Sequence, residues 1–360
     1  MLHGNEVVME IDRERLQLIA GIAEERVQAG NMPCAVVAVA NGREMLWTHV
    51  VPGAEGVDLD SIFLLASITK PIVATALMRL VEEGKLMLSV PVAHYLPEFA
   101  ANGKENVTAF HLLTHSSGME EEKFWNELWG QRTSPPGPKW LYEACCRSYL
   151  NYEPGTQHTY STLPFSVLAE LITRLGDMPQ AEYLRRNIFE PLGMQNTGYR
   201  PPDPTKAAPV HNLLGEDKTP PELLENFISM EQPGGGLWST AADLVTFGQG
   251  YLRGGTYNGY HLLSPATIEL ITRHHTLGEI STATGEPFNY GMGWGKPSYP
   301  PNGGSLASER AFGHHGASGT MLWVDPEYDL VVVFLTNTWE HQDPTDAKGR
   351  ILNVVYASRR

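Results

Sequence analysis

The sequence predicts an α+β fold in which both ends of the chain build one antiparallel sheet, flanked by helices, around a mainly helical insertion. Near the N-terminus, an amphipathic helix precedes two short apolar segments, and near the C-terminus two such segments precede a helix-compatible stretch. Between them, short helical patterns alternate with loops rich in proline and glycine. We therefore expect a sheet domain of residues 1–90 and 226–360, a helical domain of residues 91–225, and a functional site between them.

The N-terminal unit is predicted to be a helix followed by a hairpin. Over residues 12–29, apolar side chains recur at helical spacing among arginine and glutamate. Residues 34–40 form a short apolar run, Asn41-Gly42 is typical of a hairpin turn, and residues 44–50 give the returning strand.

A second helix is predicted over residues 67–84. Its apolar residues form one continuous face, and Gly84 ends it as a C′ residue would. Pro71 must then lie in the first turns, where its missing N–H does little harm. Ser67 therefore lies at or near the N-terminus of this helix.

Further helices are expected over residues 111–115 and 165–176, within the insertion. The C-terminal part returns to a hairpin of residues 320–326 and 329–337, whose second strand is apolar enough to be buried on both faces. A helix-compatible pattern over residues 343–357 closes the chain.

Composition narrows the class of partner. Among 360 residues, 41 are acidic and 26 are lysine or arginine, giving a net charge of −15 that disfavours nucleic acids and anionic membranes. No apolar run is long enough to span a bilayer, and no secretory signal begins the sequence. A cytoplasmic location is the default expectation, and a periplasmic one applies if a leader was removed. Three cysteines, two of them adjacent, indicate neither a disulfide framework nor a zinc site.

Ser67 and Lys70 form an S-x-x-K pattern, and residues three apart share one face of a helix. A serine hydroxyl becomes a nucleophile when a base removes its proton, and a lysine with a lowered pKa can act as that base. The partial positive charge of the helix N-terminus favours the forming alkoxide. The alternative is a capping serine followed by a solvated lysine.

Two further segments could complete such a site. Tyr160 could carry a proton between nucleophile and leaving group where a neighbouring cation lowers its pKa, or it could be a core tyrosine. Residues 313–319, rich in glycine, directly precede a predicted strand. A main-chain N–H there could bind an oxyanion, or the segment could be only a turn.

These three motifs, in this order, resemble those of the serine β-lactamase and penicillin-binding-protein superfamily. More narrowly, the chain is similar to class C β-lactamases and family VIII carboxylesterases, with a β-lactamase/transpeptidase-like fold. The resemblance runs over most of the chain, and it includes residues 63–88, 111–119, 153–161, 188–198, 234–247, 290–294 and 312–320.

The resemblance implies Ser67 as the acylated nucleophile, with Lys70 and Tyr160 handling its proton. It implies an oxyanion hole formed by the main-chain amides of Ser67 and Ala317. No metal or organic cofactor is implied.

The same comparison assigns substrate binding to Thr162, His314, His315 and Gly316, and two departures stand out among them. Thr162 replaces an asparagine, so an amide that contacts the lysine and substrate is missing. His314 and His315 replace a lysine and a threonine. Because histidine is mostly neutral at pH 7, this segment favours neutral substrates over carboxylates.

The sequence thus predicts a serine hydrolase that acts through an acyl-enzyme, with short-chain carboxylic esters as substrates and weak β-lactam turnover. The alternatives are a β-lactamase or D-amino-acid peptidase using the same residues, and a non-catalytic scaffold with the same fold. The expected partner is a small ester or amide, and the oligomeric state is left open.

Overall fold

In the computed structural model, the described residues are 11–123, 125, 137–213, 219–276, 278–297, 303–339 and 347–359. The strands in this part of the chain are β1 (Ala35–Ala40), β2 (Met45–Val51), β3 (Phe63–Leu64), β4 (Trp238–Ser239), β5 (Thr256–Tyr257), β6 (Tyr260–His261), β7 (Phe312–His315), β8 (Met321–Asp325) and β9 (Leu330–Leu335).

The α-helices described are α1 (Arg13–Gln28), α2 (Thr69–Glu82), α3 (Ala109–Leu113), α4 (Pro138–Arg147), α5 (Phe165–Leu175), α6 (Gln180–Leu184), α7 (Glu190–Leu192), α8 (Pro221–Ser229), α9 (Ala241–Leu252), α10 (Pro265–Thr272) and α11 (Ala347–Ala357). A π-helical segment, Arg185–Phe189, joins α6 to α7. Short 3₁₀ turns lie at Gly53–Glu55, Ala66–Ile68, Val92–His94, Pro97–Ala100 and Pro204–Lys206. None of the helices described is both long and apolar enough to cross a bilayer.

The central sheet is antiparallel and has the strand order β2-β1-β9-β8-β7. The N-terminal hairpin, β1-β2, meets the C-terminal hairpin, β8-β9, through pairing of β1 with β9, in which Val36 faces Leu335. The prediction of one antiparallel sheet built from both chain ends is confirmed. β7 lies at the edge of this sheet, and Gly313 exchanges backbone hydrogen bonds with Gly295 outside it.

Both faces of the sheet are buried, because successive side chains of a strand point to opposite sides. Val331 and Val333 of β9 join a large core with α2 and α9, whereas Val332 and Phe334 join a smaller core with α1 and α11. The strand β9 is therefore buried at every position, as its apolar sequence predicts.

The large core also contains the helices between residues 91 and 225, so it continues from the sheet into the helical part of the chain. The described residues of that range contain helices, turns and loops but no strand. The domain boundaries near residues 90 and 225 remain a prediction.

The second predicted helix begins later than its sequence pattern suggests. A 3₁₀ turn, Ala66–Ile68, comes first, and α2 begins at Thr69. The short sheet formed by β3 and β4 leads directly into this turn, because Leu64 pairs with Trp238. The position of Ser67 is therefore fixed by strand pairing on one side and by a buried helix on the other.

Candidate functional site

Ser67 lies in a tight turn with a strained residue before it. Ala66 has a φ of 48°, in the left-handed region that costs a residue with a Cβ about 1–2 kcal/mol. The turn is held by its neighbours, since the Leu65 N–H donates to the Leu237 carbonyl at 2.8 Å and Thr69 Oγ1 accepts from Leu237 N at 3.1 Å. Strain of this kind persists where the surrounding structure fixes the backbone, and functional sites are common places for it.

Lys70 is fully buried, and its ammonium group contacts three neutral oxygen atoms. Nζ lies 3.0 Å from Ser67 Oγ, 3.2 Å from Thr162 Oγ1 and 2.7 Å from the Gly234 carbonyl oxygen. Burial lowers the pKa of Lys70 to about 7, although the carboxylate of Glu121 opposes this shift. A large fraction of the amine is therefore neutral near pH 7. In that form two N–H groups remain for Thr162 and Gly234, and the lone pair can accept the Ser67 proton.

Tyr160 reaches the same serine from the helical part of the chain. The centre of its ring lies 4.8 Å from Lys70 Nζ, and the Ser67 side chain is near enough to act on the pKa of its phenol. Loss of hydration raises the pKa of this phenol, although 38% of the residue surface is exposed. The condition that a neighbouring cation lowers this pKa is not met, because desolvation raises it. Tyr160 is a protonated phenol at neutral pH.

Thr162 keeps the contact with Lys70 that the sequence left in doubt. Its hydroxyl oxygen accepts from Nζ, in place of the amide that the resemblance leads one to expect. The main chain around Thr162 is held from two sides. Glu121 Oε2 accepts from Thr162 N at 2.7 Å and from Leu163 N at 2.8 Å, and His115 Nδ1 accepts from Ser161 N at 3.1 Å.

His115 and Glu121 are functional candidates that the sequence analysis did not single out. The ring of His115 is buried and lies 4.6 Å, centre to centre, from the ring of Tyr160. It belongs to the stretch 111–119 that carries the family resemblance, so a signal for it existed. Glu121 lies outside every matching stretch and about forty residues before its partners, and no local pattern points to it.

His314 lies on the edge strand β7, and both of its ring nitrogens have partners. Nδ1 lies 2.7 Å from the His315 carbonyl oxygen, which can only accept, so Nδ1 carries the proton. Nε2, 2.7 Å from the hydroxyl of Tyr290, therefore accepts a hydrogen bond from it. Burial, with Lys70 adding to it, lowers the pKa of His314 to about 3. His314 is thus a neutral residue, and Tyr290 is a further partner that the sequence analysis did not single out.

His315 is not brought into contact with the cluster around Ser67. Its neighbour His314 points toward Tyr160 and Tyr290, whereas the His315 ring lies 6.4 Å from that of Trp323, in the smaller core. The alternation of side chains along a strand accounts for the difference. The sequence-based assignment of the His315 side chain to substrate binding therefore gains no support from this placement.

The loop 316–320 is tied to the two residues that precede the Ser67 turn. Ser318 Oγ donates to the Leu64 carbonyl at 2.6 Å, and Thr320 Oγ1 donates to the Leu65 carbonyl at 2.8 Å. At Gly316 the backbones approach so closely that a Cβ would lie 2.2 Å from the Leu65 oxygen. Only glycine fits there.

Two main-chain amides, those of Ser67 and Ala317, are available as hydrogen-bond donors. The N–H of Ala317 donates no hydrogen bond to any residue that the structure describes. Ser67 lies in the turn that leads into α2, where amide groups have no partner within the helix. The arrangement can therefore supply two N–H donors to an oxyanion, together with a nucleophile and two proton-handling groups.

A family model described as Beta-lactamase matches residues 19–356 of this chain. Among curated proteins, the N-acetylmuramyl-L-alanine amidase of Bacillus subtilis (strain 168) is 26% identical, over 98% of this chain and 91% of its own length.

Two solved structures share the fold over nearly their whole length. EstCE1, described as a hydrolase with promiscuous acyltransferase activity, has a TM-score of 0.81 at 22% identity, covering 95% of this chain and 99% of its own. A family VIII carboxylesterase has a TM-score of 0.76 at 20% identity, covering 97% of this chain and 99% of its own.

Proposed function

The chain belongs to the Beta-lactamase family, and on that premise we propose that this serine hydrolase is a carboxylesterase acting on short-chain esters. The observation that carries the proposal is the neutral His314, held by Tyr290 beside the nucleophile. A substrate carboxylate would find no cation at this position, whereas an uncharged ester loses nothing there. The esterase among the structures of the same fold supports the same substrate class.

Acylation begins with the Ser67–Lys70 contact of 3.0 Å. The neutral amine of Lys70 takes the hydroxyl proton while Oγ forms a bond to the carbonyl carbon of the ester. The carbonyl oxygen becomes an oxyanion, and the N–H groups of Ser67 and Ala317 stabilise it. The burial that lowers the Lys70 pKa to about 7 is what makes this residue a base at neutral pH.

Tyr160 delivers a proton to the leaving group. When the tetrahedral intermediate collapses, the bond from carbon to the alkoxy oxygen breaks, and the phenol of Tyr160 gives its proton to that oxygen. The Lys70 ammonium then returns a proton to the phenol, and the alcohol departs.

A water molecule then attacks the acyl-enzyme by the reverse route. Its proton passes through Lys70 and Tyr160 to Ser67 Oγ, and the acid leaves. Because the pair is coupled, its apparent pKa values belong to both groups.

An amide substrate is the second candidate. The curated amidase that matches 98% of this chain favours it, and the same acyl-enzyme chemistry serves amides. A β-lactam or a D-alanyl peptide carries a carboxylate as well, and the neutral His314 offers it no counter-ion. We therefore expect β-lactams and D-alanyl peptides to be poorer substrates than esters.

The test is a comparison of turnover of p-nitrophenyl butyrate, nitrocefin and a D-alanyl peptide by the wild-type chain and by Ser67→Ala. We expect the ester to be turned over fastest, Ser67→Ala to be inactive and folded, and a fluorophosphonate to add mass to the peptide containing Ser67. Faster turnover of nitrocefin or the peptide would replace the esterase assignment with the second candidate. Full activity in Ser67→Ala would reject the mechanism, and absence of both turnover and labelling would favour a non-catalytic scaffold.

A further inference from the structure

Glu121 lies outside the family-like motifs, yet it holds the segment that connects Tyr160 to helix α5. We propose that its carboxylate is a positioning residue for the reaction described above, fixing the Tyr160–Thr162 segment and acting electrostatically on Lys70. This inference rests on the proposed function, because it concerns the same nucleophile and base.

One oxygen of Glu121 receives three hydrogen bonds. Oε2 accepts from the Ser161 hydroxyl, from Thr162 N at 2.7 Å and from Leu163 N at 2.8 Å. The two amides lie just before α5, an 11-residue helix that begins at Phe165. A negative charge is stabilised at a helix N-terminus, and an oxygen that accepts from three donors is best provided by a carboxylate.

The same segment touches the base. Thr162 donates its N–H to Glu121 and accepts from Lys70 Nζ with its hydroxyl oxygen, at 3.2 Å. The ring centre of Tyr160, two residues earlier, lies 4.8 Å from Lys70 Nζ. Thr162 therefore links Glu121 to Lys70. Movement of the Glu121 carboxylate would displace Thr162, which contacts Lys70, together with the segment that carries Tyr160.

Glu121 differs from the other titratable groups around Lys70, because those groups are uncharged near pH 7. In the part of the chain that the structure describes, the titratable groups that interact with the Lys70 ammonium are Tyr160, whose ring it contacts, and His115, His314 and Glu121, which act on it electrostatically. Burial lowers the pKa of both histidines and raises that of the tyrosine, so these three are uncharged near pH 7. Among the described residues, Glu121 is thus the acidic group acting on Lys70, and its attraction opposes the effect of burial on the lysine pKa.

Two substitutions at Glu121 distinguish its electrostatic effect on Lys70 from its positioning of the Tyr160–Thr162 segment. Glu121→Gln keeps an acceptor oxygen and removes the charge, whereas Glu121→Ala removes both. Glu122→Gln is the matched control, because Glu122 is exposed and its loss changes net charge by the same amount. The measurement is the pH profile of kcat/KM for p-nitrophenyl butyrate, with the pH dependence of Ser67 phosphonylation by a fluorophosphonate as a second readout.

In Glu121→Gln we expect the acid limb of both profiles to move to lower pH by about half a unit or more, because Lys70 loses its stabilising charge. Glu122→Gln should match the wild type. In Glu121→Ala we expect kcat to fall by about tenfold or more with a smaller change in KM, because Tyr160 and Thr162 lose their support.

An acid limb in Glu121→Gln that coincides with that of the wild type would overturn the electrostatic role, even if Glu121→Ala fails to fold. Wild-type kcat in a folded Glu121→Ala would overturn the positioning role. Both outcomes leave the proposed function intact, whereas a wild-type chain that neither hydrolyses the ester nor is labelled at Ser67 would reject the proposed function, and this inference with it.

Discussion

The hydroxyl of Tyr290 donates a hydrogen bond of 2.7 Å to Nε2 of His314, an imidazole whose pKa is lowered by burial and by Lys70, so that it is neutral at pH 7. Nδ1 of the same ring lies against the carbonyl oxygen of His315, so the ring is held by a donor on one side and an acceptor on the other. Burial therefore explains why His314 adds no second positive charge near Lys70, and the two hydrogen bonds fix the orientation of its ring.

Tyr290→Phe should lower the free energy of unfolding by about 1–3 kcal/mol, because Nε2 of His314 is left buried without a donor. Urea denaturation followed by fluorescence measures this difference. Tyr149→Phe is the control, since Tyr149 is 61% exposed and should change stability little. Equal stability of the two variants would show that the Tyr290–His314 contact contributes nothing net.

His314→Lys should shift the substrate preference toward anionic molecules. A cation on β7 could pair with a substrate carboxylate, and we expect the ratio of nitrocefin turnover to p-nitrophenyl butyrate turnover to rise by about tenfold. His261→Lys, at a position with 59% side-chain exposure on β6, makes the same substitution outside the Ser67 cluster and serves as the control. A ratio unchanged in His314→Lys would mean that this position does not govern the choice of substrate.

The rate of ester hydrolysis should depend on pH through Lys70. Its pKa of about 7 means that the amine is protonated below that pH and cannot accept the serine proton, whereas above it the base is free. We expect kcat/KM to rise by about tenfold per pH unit on the acid side and to level off above about pH 7. A profile that is flat between about pH 5 and 8 would contradict a lysine base.

Gly316→Ala should abolish activity and destabilise the protein. The new Cβ would lie 2.2 Å from the Leu65 carbonyl oxygen, so the loop that carries Ala317 must move away from the Ser67 turn. Gly21→Ala is the matched control, because nothing lies within 4 Å of a Cβ at that helical position and alanine favours the helix. Thermal unfolding and ester turnover of both variants, measured together, check the expectation; an active Gly316→Ala would disprove the close approach.

Local sequence determined the elements of this fold and one half of its site. Apolar periodicity and turn residues predict the two hairpins and the helix after Ser67. The three-residue spacing of Ser67 and Lys70 predicts that their side chains lie close together. These features depend only on neighbours along the chain. Tyr160 came from resemblance to a family, since no local rule connects it to a serine more than ninety residues earlier.

Tertiary structure decided the rest. The pairing of Val36 with Leu335, the hydrogen bonds of Glu121 and the contact of Tyr290 with His314 all join distant parts of the chain. The ionisation of Lys70 and Tyr160 depends on burial, which is a property of packing. A sequence can place a serine and a lysine three residues apart at the start of a helix, but only the packed interior removes the water that would otherwise keep that lysine protonated.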